Sequence, residues 1–292
     1  MASLKEVKSR ISSIISTQQI TKAMKMVAAA KLRKSQERII QMRPFSEKLT
    51  EVLRSVSGAG EDGQSWYNAV RQEENILIVV LSADRGLCGS FNSNIFKATV
   101  KLITGKYARQ HEVGKVSILP IGKKALEYFK KRGYQVVEGH STLFQDISFE
   151  GVSKTAEYLM SAFEEADYDK IDLVYNEFKN VATQVLRVAP YLPIVPVDKD
   201  AKGANTDYIY QPDRQEIVTG LIPKSLRVQL FKAILDSNAA FNGAQMTAMD
   251  KATENAGELL KDLKLVYNRT RQAAITKEIL EIVGGAEALK SS

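Results

Sequence analysis

The residues best placed to do chemistry form a glycine-rich turn, Asp84 to Gly89 (Asp-Arg-Gly-Leu-Cys-Gly), just after an apolar run at Ile76–Leu81. Doubly wound α/β folds bind their ligands at such strand ends. The turn lacks the G-x-G-x-x-G and Walker spacings that cradle phosphates. We therefore expect a tight strand-to-helix connection in which Asp84 or Ser90 caps backbone amides. An α/β enzyme that binds a nucleotide at this turn is the alternative.

Other reactive groups are few. Cys88 is the only cysteine, which excludes an internal disulfide and a multi-thiolate zinc site. His111 and His140 lie in polar turns without a second histidine four residues away, and we expect both on the surface. The sequence predicts no catalytic, cofactor-binding or metal-ligating residue, and a non-catalytic protein is expected.

Composition and charge narrow the class of protein. Apolar residues make up 44% of the 292 residues and charged residues 26%, values typical of soluble globular proteins. Residues 1–58 hold 12 Lys and Arg against 4 Asp and Glu, although the net charge of the whole chain is only +7. Such a basic segment favours an acidic partner. A coiled-coil arm that binds nucleic-acid phosphates is one alternative, although the segment contains a single aromatic residue, Phe45.

Two long helices are predicted at the two ends of the chain. Residues 1–43 contain neither Gly nor Pro, and residues 224–292 contain no Pro. Helices of roughly 80 and 90 Å need a partner along their length, and we expect an antiparallel coiled coil between them. Apolar steps of three and four predict a first seam of Leu4, Val7, Ile11, Ile14, Gln18 and Thr21 that then drifts to Ile20, Met24, Val27 and Lys31. The predicted second seam is Met249, Ala252, Ala256, Leu259, Leu263, Val266, Thr270 and Ala273.

Strand and helix patterns alternate between these two helices. The predicted strands are Ile76–Leu81, Val116–Ile121, Tyr134–Val137, Ile171–Phe178 and Gln184–Ala189. The fold class is therefore α/β: a long antiparallel coiled coil of N- and C-terminal helices with an inserted small Rossmann-like, mostly parallel sheet domain. We expect the N-terminal helix at 1–58, the α/β domain at 75–196, and the C-terminal helix at 208–286, uninterrupted from about 224.

Two stretches on the predicted long helices resemble signatures of a known family. Residues 17–31 (Thr-Gln-Gln-Ile-Thr-Lys-Ala-Met-Lys-Met-Val-Ala-Ala-Ala-Lys) resemble the N-terminal signature of the gamma subunit of F-type ATP synthase. Residues 265–279 (Leu-Val-Tyr-Asn-Arg-Thr-Arg-Gln-Ala-Ala-Ile-Thr-Lys-Glu-Ile) are similar to its C-terminal signature. The turn at Asp84–Gly89 also looks like the central motif of that family, so the resemblance spans the whole chain.

The resemblance implies a function and a set of partners. In that family the terminal helices form a shaft inside a ring of three alpha and three beta subunits. Rotation of the shaft switches the conformations of the three catalytic sites and couples proton flow to ATP synthesis or hydrolysis. The implied partners are the alpha, beta and epsilon subunits and the membrane c-ring, without a cofactor, nucleic acid or membrane insertion. The implied location is the cytoplasmic face of the bacterial inner membrane.

The resemblance also assigns contact residues. Met24 and Lys25 would face the acidic loop of the beta subunit. The inner surface of the ring would contact a polar cluster of Arg271, Gln272, Thr276 and Glu278. A segment similar to the foot that contacts the membrane ring contains Tyr208, Tyr210, Pro212 and Asp213, with Gln211 in place of an acidic residue common there.

Overall fold

The computed structural model describes residues 3–57, 66–181, 183–194 and 214–290, which belong to two compact units. The smaller unit combines Met1–Ala28 with Met246–Ser292, and the larger unit is Ala29–Gln245. Two long helices, α1 (Leu4–Ser57) and α6 (Arg214–Lys290), contribute residues to both units.

The larger unit contains a five-stranded sheet. Its strands are β1 (Ile76–Leu81), β2 (Val116–Ile121), β3 (Gln135–Val136), β4 (Lys170–Phe178) and β5 (Gln184–Leu192). They lie in the order β3-β2-β1-β4-β5, and β5 runs antiparallel to β4 while the other neighbours are parallel. The intervening helices are α2 (Phe91–Gly105), α3 (Ala108–Glu112), α4 (Lys123–Lys130) and α5 (Phe149–Glu164).

Strand β1 forms the centre of the sheet because all six of its residues are apolar and fully buried. A parallel strand that is covered on both faces requires such a continuous apolar run. β1 pairs with β2 on one side and with β4 on the other, so the strand order reverses at β1. The Asp84–Gly89 turn therefore lies at the switch point where doubly wound folds bind ligands.

The part of α6 in the larger unit packs against the sheet domain. Phe241 lies edge-on to Phe91 and Phe144, with ring centroids 5.7 and 6.1 Å apart. The Tyr191 hydroxyl donates a hydrogen bond to the carbonyl oxygen of Leu226 over 3.0 Å. These aromatic contacts hold α6 on the sheet domain with a defined rotation about the helix axis.

Both long helices continue through a proline. α1 contains Pro44, and α6 begins at Arg214 and contains Pro223. An internal proline costs a helix about 3 kcal/mol. Ile222 and Leu226 next to Pro223 are buried, and burying two such side chains contributes roughly 2 kcal/mol each. Tertiary packing thus offsets the local preference of proline.

The seam of α1 keeps a strict alternation of three- and four-residue steps. Its buried and half-buried positions include Thr21, Lys25, Ala28, Leu32, Ser35, Ile39, Met42, Ser46 and Leu49. The predicted drift of the seam after Thr21 is wrong, because Ile20 and Val27 are 59% and 56% exposed. The pattern misled because small or polar residues, such as Ala28 and Ser35, occupy the seam while larger apolar residues lie outside it.

The seam of α6 differs from the prediction by one residue at two positions. Leu259 and Val266 are exposed, and the neighbouring Leu260 and Tyr267 are half-buried instead. Ala273 is also exposed, whereas Met249 and Ala256 are buried as expected. Since α1 and α6 pack antiparallel and the inserted sheet is mostly parallel, the predicted fold class is confirmed.

Gly122, the residue before α4, supports a first prediction. Its φ is +107°, and a Cβ atom there would lie 2.1 Å from the carbonyl oxygen of Ser82 at the end of β1. We expect Gly122→Ala to lower the free energy of unfolding by about 3 kcal/mol, because both the φ angle and the backbone contact oppose it. Urea denaturation measures this loss.

Gly133→Ala is the matched control for that measurement. Its φ is also positive, +76°, but a Cβ atom there would meet no described atom within 4 Å. It should lose about 1 kcal/mol through backbone strain alone. Equal losses at the two positions would contradict the role of the Ser82 contact.

Candidate functional site

At the carboxyl end of the sheet, two backbone amides in the first turn of α4 are already bonded to side chains of the chain itself. Asp84 Oδ1 accepts a hydrogen bond from the amide of Lys123, and Ser82 Oγ accepts one from the amide of Ala125, both over 2.9 Å. These amides open α4, where the helix dipole favours an anion. The carboxylate of Asp84 therefore supplies the negative charge at the amino end of α4. The capping role expected of Asp84 is confirmed, and it acts on α4.

Asn92 holds the turn that leads into α2. Its Oδ1 accepts a hydrogen bond from the amide of Ala83 over 3.0 Å, and its Nδ2 donates to the carbonyl oxygen of Arg85 over 3.3 Å. Ser90, the alternative capping residue, makes no side-chain cap within the described part of the chain. Asn92 is thus the residue of this turn that the sequence analysis missed. Neither its residue type nor its spacing from Cys88 predicts that it holds the turn.

Cys88 is a buried thiol. Asn92 Nδ2 lies 3.5 Å from its Sγ, and burial raises the pKa of the thiol above its ordinary value. Nucleophilic cysteines need the opposite shift, because the thiolate is the reactive form. Cys88 therefore packs as a small apolar residue.

The two histidines occupy different surroundings. His111 is exposed and stacks on Tyr134, with ring centroids 5.5 Å apart. His140 is half-buried, its Nδ1 lies 3.0 Å from Thr155 Oγ1, and burial lowers its pKa. The expected surface position is wrong for His140, because the loop after β3 folds onto α5. Within the described residues, no cluster of three or more His, Cys, Asp or Glu side chains could hold a metal ion.

In the smaller unit a row of polar contacts joins α1 and α6. Gln18 Nε2 donates to the carbonyl oxygen of Thr253 over 3.4 Å, and Thr253 Oγ1 donates to Thr21 Oγ1 over 2.8 Å. Lys25 Nζ lies 2.5 Å from Asp250 Oδ1. Residue numbers rise along α1 while those of the partners fall along α6, so the helices are antiparallel. Lys25, which the resemblance assigns to an outside partner, forms an ion pair within the chain and is still partly exposed.

The outer face of α1 in this unit is apolar as well as basic. Ile20, Met26 and Val27 are all more than half exposed, and Lys22 is exposed among them. Met24 is half-buried beside the seam. An apolar surface of this size on a helix indicates a contact with another protein.

Residues 271–286 of α6 are exposed throughout, including the predicted contact residues Arg271, Gln272, Thr276 and Glu278. Three large apolar side chains of the same stretch share one face in steps of four and three, Ile275, Ile279 and Ile282, and Leu280 and Val283 are exposed outside that face. Arg271 lies about 30 Å further along α6 than Asp250, the partner of Lys25. The two sets of predicted contact residues therefore lie at different levels of the helix pair. Tyr208, Tyr210, Pro212 and Asp213 lie outside the described residues, and their contact remains a prediction.

The larger unit contains a buried carboxyl group that the sequence analysis missed. Asp236 on α6 is 1% exposed, and its Oδ1 has no hydrogen-bond partner among the described residues. Arg43 Nη2 is 3.9 Å away, too far for a hydrogen bond, and donates instead to the carbonyl oxygen of Phe178 over 3.2 Å. Burial raises the pKa of Asp236 to about 6, although Arg43 and Lys232 oppose the shift. The available signal is an acidic residue that directly follows Ile234-Leu235 and opens a short polar stretch before Ala239-Ala240.

Comparisons with known proteins agree with this architecture. A family model described as ATP synthase matches residues 3–289. The chain is 52% identical to the ATP synthase gamma chain of Cytophaga hutchinsonii, with 100% of both chains covered. It is also 52% identical to the gamma chain of Christiangramia forsetii, with 99% of each covered. The chain belongs to the family of ATP synthase gamma chains, as the two terminal signatures predict.

Solved structures share the fold. The rotor of the mitochondrial ATP synthase of Euglena gracilis, in rotational state 1, superposes with a TM-score of 0.64 at 20% identity and covers 93% of this chain and 98% of its own. The OSCP/F1/c-ring assembly of the same organism, in rotational state 3, contains a chain with a TM-score of 0.65 at 20% identity, covering 99% and 95%. Both likenesses establish the fold of the chain.

Asp236 supports a prediction on pH dependence. Its folded pKa lies above the ordinary value of 3.8, so its favourable contribution is fully present below about pH 4 and is lost as the pH rises through about 6. Relative to Asp236→Asn, the free energy of unfolding of the parent chain should fall by roughly 2.4 kcal/mol between pH 4 and pH 7. Urea denaturation at a series of pH values measures the difference.

Glu150→Gln is the control for this pH series. The pKa of Glu150 is lowered by its hydrogen bond from Lys154, so its contribution has the opposite sign, and it is small because the pair is exposed. A difference between parent and Asp236→Asn that does not change with pH would contradict the account of Asp236.

Proposed function

We propose that this chain is the central-stalk rotor subunit of an F-type ATP synthase, which couples proton flow to ATP synthesis or hydrolysis. The single observation that carries the proposal is the stretch 271–286 of α6, an exposed helix with an apolar face in a chain of the gamma family. An exposed apolar stripe of this kind marks a surface that a partner protein covers. The alpha and beta subunits of the catalytic ring are the partners proposed for this stretch.

The geometry of the sheet domain supports a non-catalytic role. The amides at the amino end of α4 are bonded to Asp84 and Ser82, so a nucleotide phosphate would have to displace both. Gly122 lies so close to Ser82 that the strand end and the helix leave no gap between them. We therefore place the nucleotide sites on the ring subunits.

The mechanism follows from the different faces of the helix pair. In the smaller unit α1 exposes Ile20 and Val27, whereas α6 at about the same level exposes Lys251 and Glu254. Three identical beta subunits around such a pair contact three different surfaces, so each is held in a different conformation. A difference of about 5.5 kcal/mol in contact free energy shifts a two-state population from 1:99 to 99:1. Rotation of the pair moves these contacts from one subunit to the next and changes nucleotide affinity in order.

The contact residues proposed for the ring are those of the resemblance. Arg271, Gln272, Thr276 and Glu278 supply charged and hydrogen-bonding groups beside the apolar stripe of α6. Lys25 would meet an acidic loop of the beta subunit while it keeps Asp250 as an internal partner. Dispersed charges of this kind form and break readily, because exposed ion pairs are worth at most about 1 kcal/mol.

The remaining partners are the epsilon subunit and the c-ring, with a foot at Tyr208, Tyr210, Pro212 and Asp213. The proposed location is the cytoplasmic face of a bacterial inner membrane, since the gamma chains with about half of their residues identical come from bacteria. Among the described helices, none has the length and apolar character to cross a membrane.

Co-expression with alpha and beta subunits tests this proposal. We expect a stoichiometric complex with three copies each of alpha and beta and one copy of this chain, and no nucleotide binding by the chain alone. Nucleotide binding by the isolated chain would favour the enzyme alternative. Salt-sensitive binding of nucleic acid without assembly into the ring would favour the nucleic-acid-binding arm.

A substitution in the apolar stripe gives a sharper prediction. Ile279→Asp should reduce ATP-driven proton pumping in membrane vesicles by about tenfold, because it removes an apolar contact worth roughly 1.5–3 kcal/mol and adds a charge. Ala273→Asp is the matched control, since it adds the same charge at an exposed position outside the stripe, about 120° round the helix from Ile279. Equal pumping by the two variants, at equal amounts of complex, would contradict the role of the stripe.

A further inference from the structure

Three polar residues interrupt the apolar seam between α1 and α6 in the larger unit. Ser35 Oγ donates a hydrogen bond to Asn238 Oδ1 over 2.8 Å. Asn242 Nδ2 donates to Ser35 Oγ over 3.2 Å and to Asn238 Oδ1 over 3.1 Å. Ser35 and Asn242 are only 8% and 3% exposed and Asn238 is half-buried, so most of this polar layer is closed off from water.

The neighbouring seam positions are apolar. Leu32 and Ile39 lie one turn before and after Ser35 on α1, and Leu235 precedes Asn238 on α6; all three are buried. An apolar seam by itself specifies the register weakly, because one aliphatic side chain can take the place of another after a slide. The polar layer has a single register in which its groups are paired, and a slide leaves buried donors and acceptors without partners.

In the proposed function, partner subunits apply a force that tends to slide α6 along α1. The exposed stretch 271–286 belongs to α6 alone, so a force that partner subunits apply there acts on one helix of the pair. Interdigitated apolar side chains oppose a partial slide of one helix along the other, but equivalent apolar contacts can re-form after a slide by a whole heptad. Directional hydrogen bonds across the seam resist such sliding because they need fixed distances and angles.

We propose that Ser35, Asn238 and Asn242 are positioning residues that, together with the polar contacts of the smaller unit, fix the axial register of α1 against α6 and keep the helices from sliding when the shaft is loaded. The part concerning load rests on the proposed rotor function. The register itself is a property of the chain and does not depend on that function. In coiled coils a single buried polar layer is known to specify register at a cost in stability.

A residue that fixes the register at a cost in stability can be distinguished from one that only contributes to packing. When all three residues are replaced by apolar side chains of similar size, no buried polar group is left unpaired. The triple variant Ser35→Ala/Asn238→Leu/Asn242→Leu is therefore expected to unfold at the same or a higher urea concentration than the parent chain. Its register should nevertheless be looser.

Disulfide capture in the full chain measures the register. Thr21→Cys with Thr253→Cys reports the native register, because the two Oγ1 atoms are 2.8 Å apart in the parent chain. Thr21→Cys with Met246→Cys or with Leu260→Cys reports a slide by one heptad. These pairs are about 10 Å out of register along the helix, beyond the reach of a disulfide. Single-cysteine variants correct for reaction with Cys88.

We expect the triple variant to form the out-of-register disulfides at least about tenfold faster than the parent. A slide in the parent leaves at least one buried polar group unpaired, and the cost of one such group corresponds to about this factor. Ser35→Thr keeps the hydroxyl and should retain the parent rate. Ile39→Val is the packing control: it should lower the urea midpoint without a change in the capture rate. Out-of-register rates that equal those of the parent, at any urea midpoint, overturn the inference.

A second readout uses the assembled complex. The triple variant should hydrolyse ATP at the parent rate while it pumps fewer protons per ATP, because sliding in the seam absorbs part of each step. Failure of the chain to assemble with alpha and beta subunits overturns the proposed function and leaves the register result intact. Unchanged disulfide capture in a complex that pumps normally overturns the present inference alone.

Discussion

The structure depends on the seam between α1 and α6. Neither helix is stable alone in water over such a length, since helical stability in proteins comes mainly from burial of an apolar face. Each helix covers the stripe of the other, and the pairing holds within both compact units. The sheet domain is inserted in the chain between α1 and α6, the two helices that must pair. Its own core, centred on β1, is complete without the smaller unit.

The composition of the seam determines what the helix pair offers to partners. Small and polar residues such as Ala28, Ser35 and Thr253 occupy the interior, which allows a close approach of the two backbones and several hydrogen bonds across the seam. The larger apolar side chains Ile20 and Val27 are displaced to the outer face. This part of α1 therefore departs from the usual pattern, although Leu32 and Ile39 further along the seam are buried. The arrangement suits a surface that other subunits cover and that must slide past them.

The sequence predicted the elements with strong local patterns and failed where different residue types compete for one position. The run Ile76–Leu81 was assigned to a buried strand because no other element tolerates six consecutive apolar residues so well. The switch-point turn was predicted as a self-capped connection, and Asp84 caps α4. The register of the seam was wrong after Thr21, because hydrophobicity gives more weight to Ile20 and Val27 than to Ala28 and Ser35. The long-range partners of Asp236 and Lys25 depend on tertiary packing, which local periodicity does not encode.

Rotation of this chain within its ring is the most direct test of the account. A bead attached to the sheet domain of the assembled, surface-fixed alpha–beta complex should turn in one direction when ATP is supplied. It should pause at three positions in each revolution, one for each beta subunit. Continued ATP hydrolysis while the bead stays fixed relative to the ring would contradict the claim that the paired helices act as the rotor.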